Sequence, residues 1–350
     1  MLNKFIAAAV QISPVIPISK EKTAKLMCEI IAEAADNGAK LVVFPECYFP
    51  MYPNWSIDLQ NPTEWSRNLR DLINNSLIVP GPETELIGQM AKKKGVYVVF
   101  GANETEEVYG GALFNSLVYI GSNGEVIGKH RKLFPTNREK VFHARGDASG
   151  LKVYDTALGR IGGLICYEHL QPLLRFALTA QGEQIHCASW PGWPNYPNGR
   201  SNKNVIDVMT RSYALESQSF VILSSLYVPD SAAEKANLGN ASWNFCGGSG
   251  IINPSGEYIA GPLYDQEGIV YGEIDLDLIT LRKAVVDTTS RDTAWDVLNL
   301  NLNPSKRSPI VWKGSASEDN PNNNKLYSAL KGLEGRLDVI ENYLKSESHS

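Results

Sequence analysis

The chain has 350 residues, 43% of them hydrophobic, enough for one large core or two smaller ones. A net charge of −5 leaves no basic field to hold nucleic acid or an anionic membrane, and no apolar stretch approaches the roughly 20 residues of a membrane span. The five cysteines, Cys28, Cys47, Cys166, Cys187 and Cys246, lack CxxC spacing, which argues against a zinc knuckle and a disulfide framework and fits a reducing compartment.

In chain order, "KFIAAAVQIS" (4–13) predicts a strand. The apolar run it belongs to is too brief and strand-like for a signal peptide, so cytoplasmic residence is expected. Leu26, Met27, Ile30, Ile31 and Ala34 recur at helical spacing and stop at Gly38. "KLVVFPE" (40–46) reads as a strand covered on both faces, followed by a loop rich in aromatics and prolines and a helix near 83–94. "VYVVFGAN" (96–103) is a strand, and "NSLVYIGSNGEVIGKHRKL" (115–133) is a hairpin around Ser-Asn-Gly. "GRIGGLIC" (159–166) is a buried strand leading, through Pro172, into a helix that runs to about Gly182. Strand 184–190, helix 202–218, strand 220–225, a hairpin turning at 253–257, strand "GIVYGEID" and a helix near 277–286 complete the pattern. Helices alternating with apolar strands, plus hairpins, imply a mixed sheet packed against helices. No short repeat is evident. From about Asn303 the composition turns to Pro, Ser, Asn and charge, which places the end of the catalytic unit at residue 302 and a C-terminal linker with a short helix in 303–350.

Three strand exits carry reactive groups: Glu46, Lys132 and Cys166. Taken singly each has an ordinary explanation, as a solvated strand end, a surface cation and an inert buried thiol. Taken together they form a base, a cation and a nucleophile on rigid strand ends, where ligand sites of α/β sheets gather. A thiol whose unperturbed pKa lies near 8.5 is ionised readily by a nearby base. A glutamate desolvated by "LVVFP" and the aromatic loop after it would titrate closer to neutrality.

The blocks "LVVFPECYFP", "GKHRKLFPT" with "NREKVF", and "CYEHLQPLLRFAL…GEQIHCASWPG" resemble the nitrilase superfamily, and its nitrile-hydrolysing branch in particular, from residue 4 to about 300. The resemblance implies an α-β-β-α sandwich of two mixed sheets with outer helices, pairing into a four-layer dimer. It also implies a triad of Glu46, Lys132 and Cys166, with Glu139 as the family's second glutamate. The implied reaction is nitrile hydrolysis to a carboxylic acid and ammonia through thioimidate and acyl-thioester intermediates, with neither metal nor organic cofactor. Tyr167 stands where nitrilases usually have tryptophan and amidase members often have tyrosine, so hydrolysis of a small amide is the alternative. Phe142 stands where many nitrilases carry a pocket-lining tryptophan. The run "DTTSRDTAWDVLNL" (287–300) lacks the glycine-histidine-tyrosine and arginine-proline-aspartate residues often found there.

The aromatic loops "CYFPMYPNW" (47–55) and "SWPGWPNYP" (189–197) are candidate walls of an apolar pocket, with Tyr52, Phe142, Tyr167 and Trp190 its candidate substrate contacts. These loops could equally fold onto their own aromatics or onto a subunit interface. The N–H of Tyr167, on a strand-to-helix nucleophile turn, and Lys132 are candidate donors to developing negative charge. His169 is three positions from Cys166 and reads as a supporting group at a helix start, as does Glu168; His130, His143 and His186 are scattered. In the tail, Leu326, Leu330, Leu333, Leu337, Ile340 and Leu344 form a heptad seam. Interrupted by Gly332 and Gly335, it would be a marginal helix alone, which leaves three outcomes: a coiled coil with a neighbouring subunit's tail, docking onto the catalytic body, or disorder despite the pattern. A homodimer assembling into larger homo-oligomers is therefore expected.

Overall fold

The computed structural model describes residues 4–57, 61–106, 111–193, 201–235 and 245–307. The chain divides into two compact units, 1–306 and 307–350. The leucine seam from Leu326 to Leu344 lies outside the described residues.

The first sheet is six-stranded, in the order β12-β1-β2-β3-β4-β5. Its strands are β1 (Lys4–Gln11), β2 (Ala39–Val43), β3 (Tyr97–Thr105), β4 (Leu113–Ile120), β5 (Val126–Arg131) and β12 (Gly268–Asp275). The second, ordered β11-β10-β9-β8-β7-β6, is built from β6 (Tyr154–Thr156), β7 (Gly159–Ile165), β8 (Ile185–Trp190), β9 (Phe220–Ser225), β10 (Gly247–Ile252) and β11 (Tyr258–Tyr264). Both sheets follow one plan. In each, three neighbouring parallel strands are flanked by an antiparallel hairpin on one side and a single antiparallel strand on the other. This two-fold repetition of topology has no counterpart in a sequence repeat.

The alternation of side chains decides the layering. Ala7, Ala9, Leu41, Val43, Val99, Leu117 and Tyr119 face the second sheet and share one core with Leu164, Ile165, Ile222 and Leu223. Ala8, Val10, Val42, Val98, Val118 and Ile120 face outward into a second core with Met27, Ile30, Ile31, Ile87 and Ala91. Those last five lie on α1 (Lys20–Asp36) and α3 (Pro82–Lys94). On the other side α4 (Pro172–Thr179) and α5 (Asn202–Ser217) cover the second sheet with Leu174, Leu178, Ile206, Tyr213 and Ala214. The fold is thus the expected α-β-β-α sandwich. The continuously apolar strands are those covered on both faces.

The sheets touch closely where residues are small. An added Cβ at Gly163 would sit 2.7 Å from Leu117 Cδ2 and 2.6 Å from the Cys187 carbonyl oxygen. Polar side chains also cross between the layers: Gln11 Oε1 accepts from the amides of Gly248 and Ser249 at 2.9 and 2.8 Å.

Sequence pattern missed some pieces. The segment after Glu46 contains not only loop but a 3₁₀ turn (Asn54–Ile57) and α2 (Pro62–Asn75). Helix α2 is capped by Asn61, whose side chain accepts from the Glu64 amide, yet only Leu72 on it is buried. Trp65, Leu69, Leu72 and Ile73 recur on it at helical spacing, a signal the reading of this segment as loop passed over. The three-residue β6 and the short α6 (Asp230–Lys235) fell below what periodicity can reveal. Helix α7 (Asp277–Val285) lies where expected. No helix among the described residues is long and apolar enough to cross a membrane.

Candidate active site

Glu46 lies three residues beyond β2, where β3 still holds the departing chain. The Gly101 amide donates to the Pro45 carbonyl and the Phe49 amide to the Gly101 carbonyl, both at 3.1 Å. That approach requires glycine, since a Cβ on Gly101 would lie 2.6 Å from the Glu46 Cα. Lys132 follows β5 directly, its amide donating 2.8 Å to the Asn115 carbonyl. Cys166 follows β7 at the start of a 3₁₀ turn (Cys166–Leu170), with φ at 52°, in the left-handed region that non-glycine residues rarely occupy.

These exits converge. Lys132 Nζ donates to Glu46 Oε1 at 2.8 Å and reaches both oxygens of Glu139 at 3.0 and 2.9 Å. Glu139 sits on the 3₁₀ turn Asn137–Val141, where Oε2 accepts from the Thr136 amide at 2.8 Å. The Tyr52 hydroxyl donates to Glu139 Oε1 at 2.7 Å. Asn115 Nδ2 donates to Glu46 Oε1 at 2.6 Å, while Glu46 Oε2 is buried without a hydrogen-bond partner. The thiol of Cys166 feels Glu46, Lys132 and Glu139 directly, and all four side chains are buried.

The two carboxyls of this cluster are not equivalent. Burial, partly offset by Lys132 and reinforced by Glu139, pushes Glu46 up to about 7. Glu139 is equally buried, but Lys132, His143 and the Thr136 amide outweigh that burial and hold it below the usual carboxylate range. Lys132 is held well above its ordinary value, because the charges of Glu139 and Glu46 outweigh its own desolvation. Burial, then the charge of Glu46, raises Cys166, so the resting sulfur is a thiol. The constellation therefore holds a fixed cation, a permanent carboxylate and a carboxyl able to gain or lose a proton near neutrality.

Glu168 ties two of the exits together. Its buried carboxylate accepts from the amides of Leu133 (2.7 Å) and Ile165 (3.1 Å) and meets His130 Nε2 at 2.9 Å. The residue after Lys132 and the residue before Cys166 are thereby fixed to one side chain.

The expected pocket residues are placed as follows. Tyr52 contacts the cluster through Glu139, and its ring lies edge-on to Trp193 at 5.1 Å. Phe142 is half-buried, between Trp55 and the His143 ring. Trp190 is fully buried, stacked on His169 at 5.1 Å and edge-on to Tyr167 at 5.8 Å. The Tyr167 hydroxyl donates 2.8 Å to Asn202 at the head of α5. Sequence reasoning did not single out Asn115, although hairpin register places it opposite Lys132 and so beside Glu46. It also did not single out Glu183, which joins His186 and His169 in a separate buried file. Among the described residues no group of three or more His, Cys, Asp or Glu is arranged to hold a metal ion.

Comparison with known proteins agrees with this geometry. Residues 6–284 match the family model described as carbon-nitrogen hydrolase. A nitrilase of Paraburkholderia phymatum is 35% identical over 87% of this chain and 88% of its own length. An aliphatic nitrilase of Rhodococcus rhodochrous is 36% identical over 88% and 85%. The crystal structure of Saccharomyces cerevisiae Nit3, a member of branch 10 of the nitrilase superfamily, covers 83% of this chain and 97% of its own, with TM-score 0.66 and 24% identity, and so shares the fold. Two sheets of one plan, an acid–lysine–acid cluster beside a cysteine, and a family match spanning both sheets lead to one conclusion: this chain belongs to the carbon-nitrogen hydrolase family.

Proposed function

We propose that this hydrolase converts an organic nitrile to its carboxylic acid and ammonia, with Cys166 as nucleophile, Glu46 as general base, Lys132 as the stabilising cation and Glu139 as the anion that holds Lys132. The observation that carries this reading is the inequality of the two carboxyls around Lys132, one poised near neutrality beside the thiol and one permanently ionised. The names of the relatives, nitrilase and aliphatic nitrilase, support nitriles as the substrate class.

The steps follow from these charges. Cys166 sulfur bonds the nitrile carbon as its proton passes to Glu46, and the electron pair of one C–N π bond moves to nitrogen. Once Glu46 is neutral its hold on Lys132 weakens, so an Nζ–H turns to the nitrogen where charge is developing. That nitrogen takes the proton from Glu46, giving the thioimidate and returning Glu46 to its base form. Preorganised donors of this kind are worth about 3 to 4 kcal/mol in the transition state. Glu46 then activates water; its oxygen bonds the same carbon, and nitrogen leaves as ammonia with a thioester remaining. A second water hydrolyses the thioester to the acid and returns the thiol. The sum is one nitrile and two waters to one acid and one ammonia.

Tyr167, directly after the nucleophile, favours the second reading, hydrolysis of a small amide. A panel of aliphatic, aryl and arylalkyl nitriles with their matching amides, assayed for acid, amide and ammonia, separates the two. Acid and ammonia from nitriles are expected; ammonia from amides with none from any nitrile would overturn the reading. The base form of Glu46 exists above its pKa. For the productive substrate kcat/KM should therefore fall about tenfold per pH unit below about 7. A flat profile down to about pH 5 would remove Glu46 as the base.

We also propose a catalytic unit of residues 1–302 with the linker and helix of 303–350 serving assembly. Exposed apolar residues on the catalytic unit, Leu173 on α4 and Leu281 and Val285 on α7, support pairing with a second copy. Five free, buried cysteines support a reducing, cytoplasmic setting.

A further inference from the structure

Apart from the Glu46–Lys132–Glu139 cluster, four buried side chains form a single file of hydrogen bonds that ends on the backbone of Cys166. The Tyr213 hydroxyl donates to Glu183 Oε2. Glu183 Oε1 meets His186 Nδ1 at 2.9 Å, His186 Nε2 meets His169 Nε2 at 3.0 Å, and His169 Nδ1 meets the Cys166 carbonyl oxygen at 2.7 Å. The rings are fixed in place: His186 stacks on Tyr213 at 3.7 Å and His169 on Trp190 at 5.1 Å. Gly162 leaves the slot for the carboxyl, since a Cβ there would lie 2.2 Å from Glu183 Oε1.

Each proton in this file has one allowed place. A carbonyl oxygen only accepts, so His169 must carry its proton on Nδ1. Its Nε2 then has a lone pair, and His186 must donate to it from its own Nε2. That leaves a lone pair on His186 Nδ1, facing Glu183 Oε1. With His186 kept neutral by burial, the contact is satisfied only if Glu183 is a carboxylic acid and donates. Burial, partly offset by the Tyr213 hydrogen bond, pushes Glu183 up to about 8, and burial holds both histidines neutral. The groups around Glu183 are Tyr213 from α5, His186 and Cys187 from β8 and Tyr119 from β4. Arg175 from α4 acts on Tyr213 and both histidines, and Glu168 acts on His169.

We propose that Glu183, acting through His186 and His169, is a positioning residue for Cys166: its proton sets the direction of the whole file and so holds the carbonyl of a nucleophile in left-handed backbone conformation. If Glu183 ionises, its carboxylate demands a donor from His186 Nδ1. The reversal then passes along the file until a lone pair on His169 Nδ1 faces the Cys166 carbonyl oxygen. That contact turns repulsive, and the backbone pose that presents the sulfur is lost. The inference rests on the reading of Cys166 as nucleophile.

Glu183→Gln is the decisive variant. Its amide N–H donates permanently to His186 Nδ1 and its oxygen accepts from Tyr213, so it mimics the protonated acid at every pH. The wild-type kcat should fall above about pH 8 with KM little changed, while Glu183→Gln keeps kcat within about threefold of the neutral wild-type value up to about pH 9.5. Glu183→Leu, which ends the file in an apolar group, should lose at least about tenfold in kcat at all pH values. A Glu183→Gln enzyme that keeps the wild-type alkaline fall, or a Glu183→Leu enzyme as active as wild type, would overturn the proposal. If Glu183→Leu does not fold, the Glu183→Gln profile decides alone. Failure of the nucleophile reading shows elsewhere, as a Cys166→Ala protein that still turns over substrate.

Discussion

Replacing Cys166 with alanine should reduce turnover by at least about 10⁴-fold, to the background of the assay, while the protein still folds. The sulfur is the only atom lost, its site is buried, and deletion of one such atom costs about 1 kcal/mol of stability. Cys166→Ser should be equally inactive. Its hydroxyl is a far weaker acid than the thiol it replaces, and Glu46, titrating near 7, is too weak a base to make it a useful nucleophile. Mass spectrometry of wild-type enzyme quenched during turnover should find a thioimidate or acyl mass on the peptide containing Cys166, absent from both variants. Steady turnover by Cys166→Ala would end the mechanism.

Lys132→Met should be damaging in two separable ways. The side chains of Lys132 and Glu46 are both fully buried, and that of Glu139 is 3% exposed. Removing the ammonium therefore leaves two carboxyls facing a common apolar volume without a counter-charge. Breaking a buried pair in this manner costs about 3 to 5 kcal/mol, and loss of the cation should lower kcat by about 10³-fold. The stability loss carries a pH signature whose sign follows from linkage. In the wild type Glu139 has a lowered folded pKa, so its contribution is present above the unfolded value and is lost as pH falls through the folded one. In the variant both folded carboxyls would titrate above their unfolded values. The folded variant then binds more protons than its unfolded chain and gains stability as pH drops. The gap in Tm between wild type and Lys132→Met should therefore be widest near pH 8 and narrow by pH 5. A gap independent of pH would mean that steric repacking, and not stranded charge, causes the loss.

The two variants test different links of the argument. Cys166→Ala removes the reacting atom and leaves the electrostatic cluster in place. Lys132→Met leaves the thiol and removes the charge that lowers both Glu46 and Glu139. With Lys132 gone, Glu46 should titrate higher still, so residual activity in the variant should have its acid limb shifted upward.

The strands, most helices and the three reactive strand exits were legible in the residues because they depend on local periodicity and punctuation. Ala7 and Ala9 against Ala8 and Val10, or Leu41 and Val43 against Val42, alternate between two cores, so in the linear string these strands read as short continuous apolar runs covered on both faces. Glu46 and Cys166 were visible because apolar runs stop at them, and Lys132 because it closes the second strand of the Ser-Asn-Gly hairpin. The resemblance to a known superfamily supplied Glu139, whose own neighbourhood on the chain carries no such mark. Only the tertiary structure decided which buried polar groups meet. Glu46 and Lys132 are 86 residues apart, and Tyr52 and Glu139 are 87 apart. No local period encodes contacts of that separation: strand order within the first sheet brings the exits of β2 and β5 together, and the facing sheet adds Cys166 from the end of β7. The same holds for Glu168 bridging the exits of β5 and β7, and for Glu183 reaching Cys166 through two histidines. Periodicity records which side chains leave water; the partner of each buried charge is chosen by the packing of layers, because desolvation makes an unpartnered one too costly to keep.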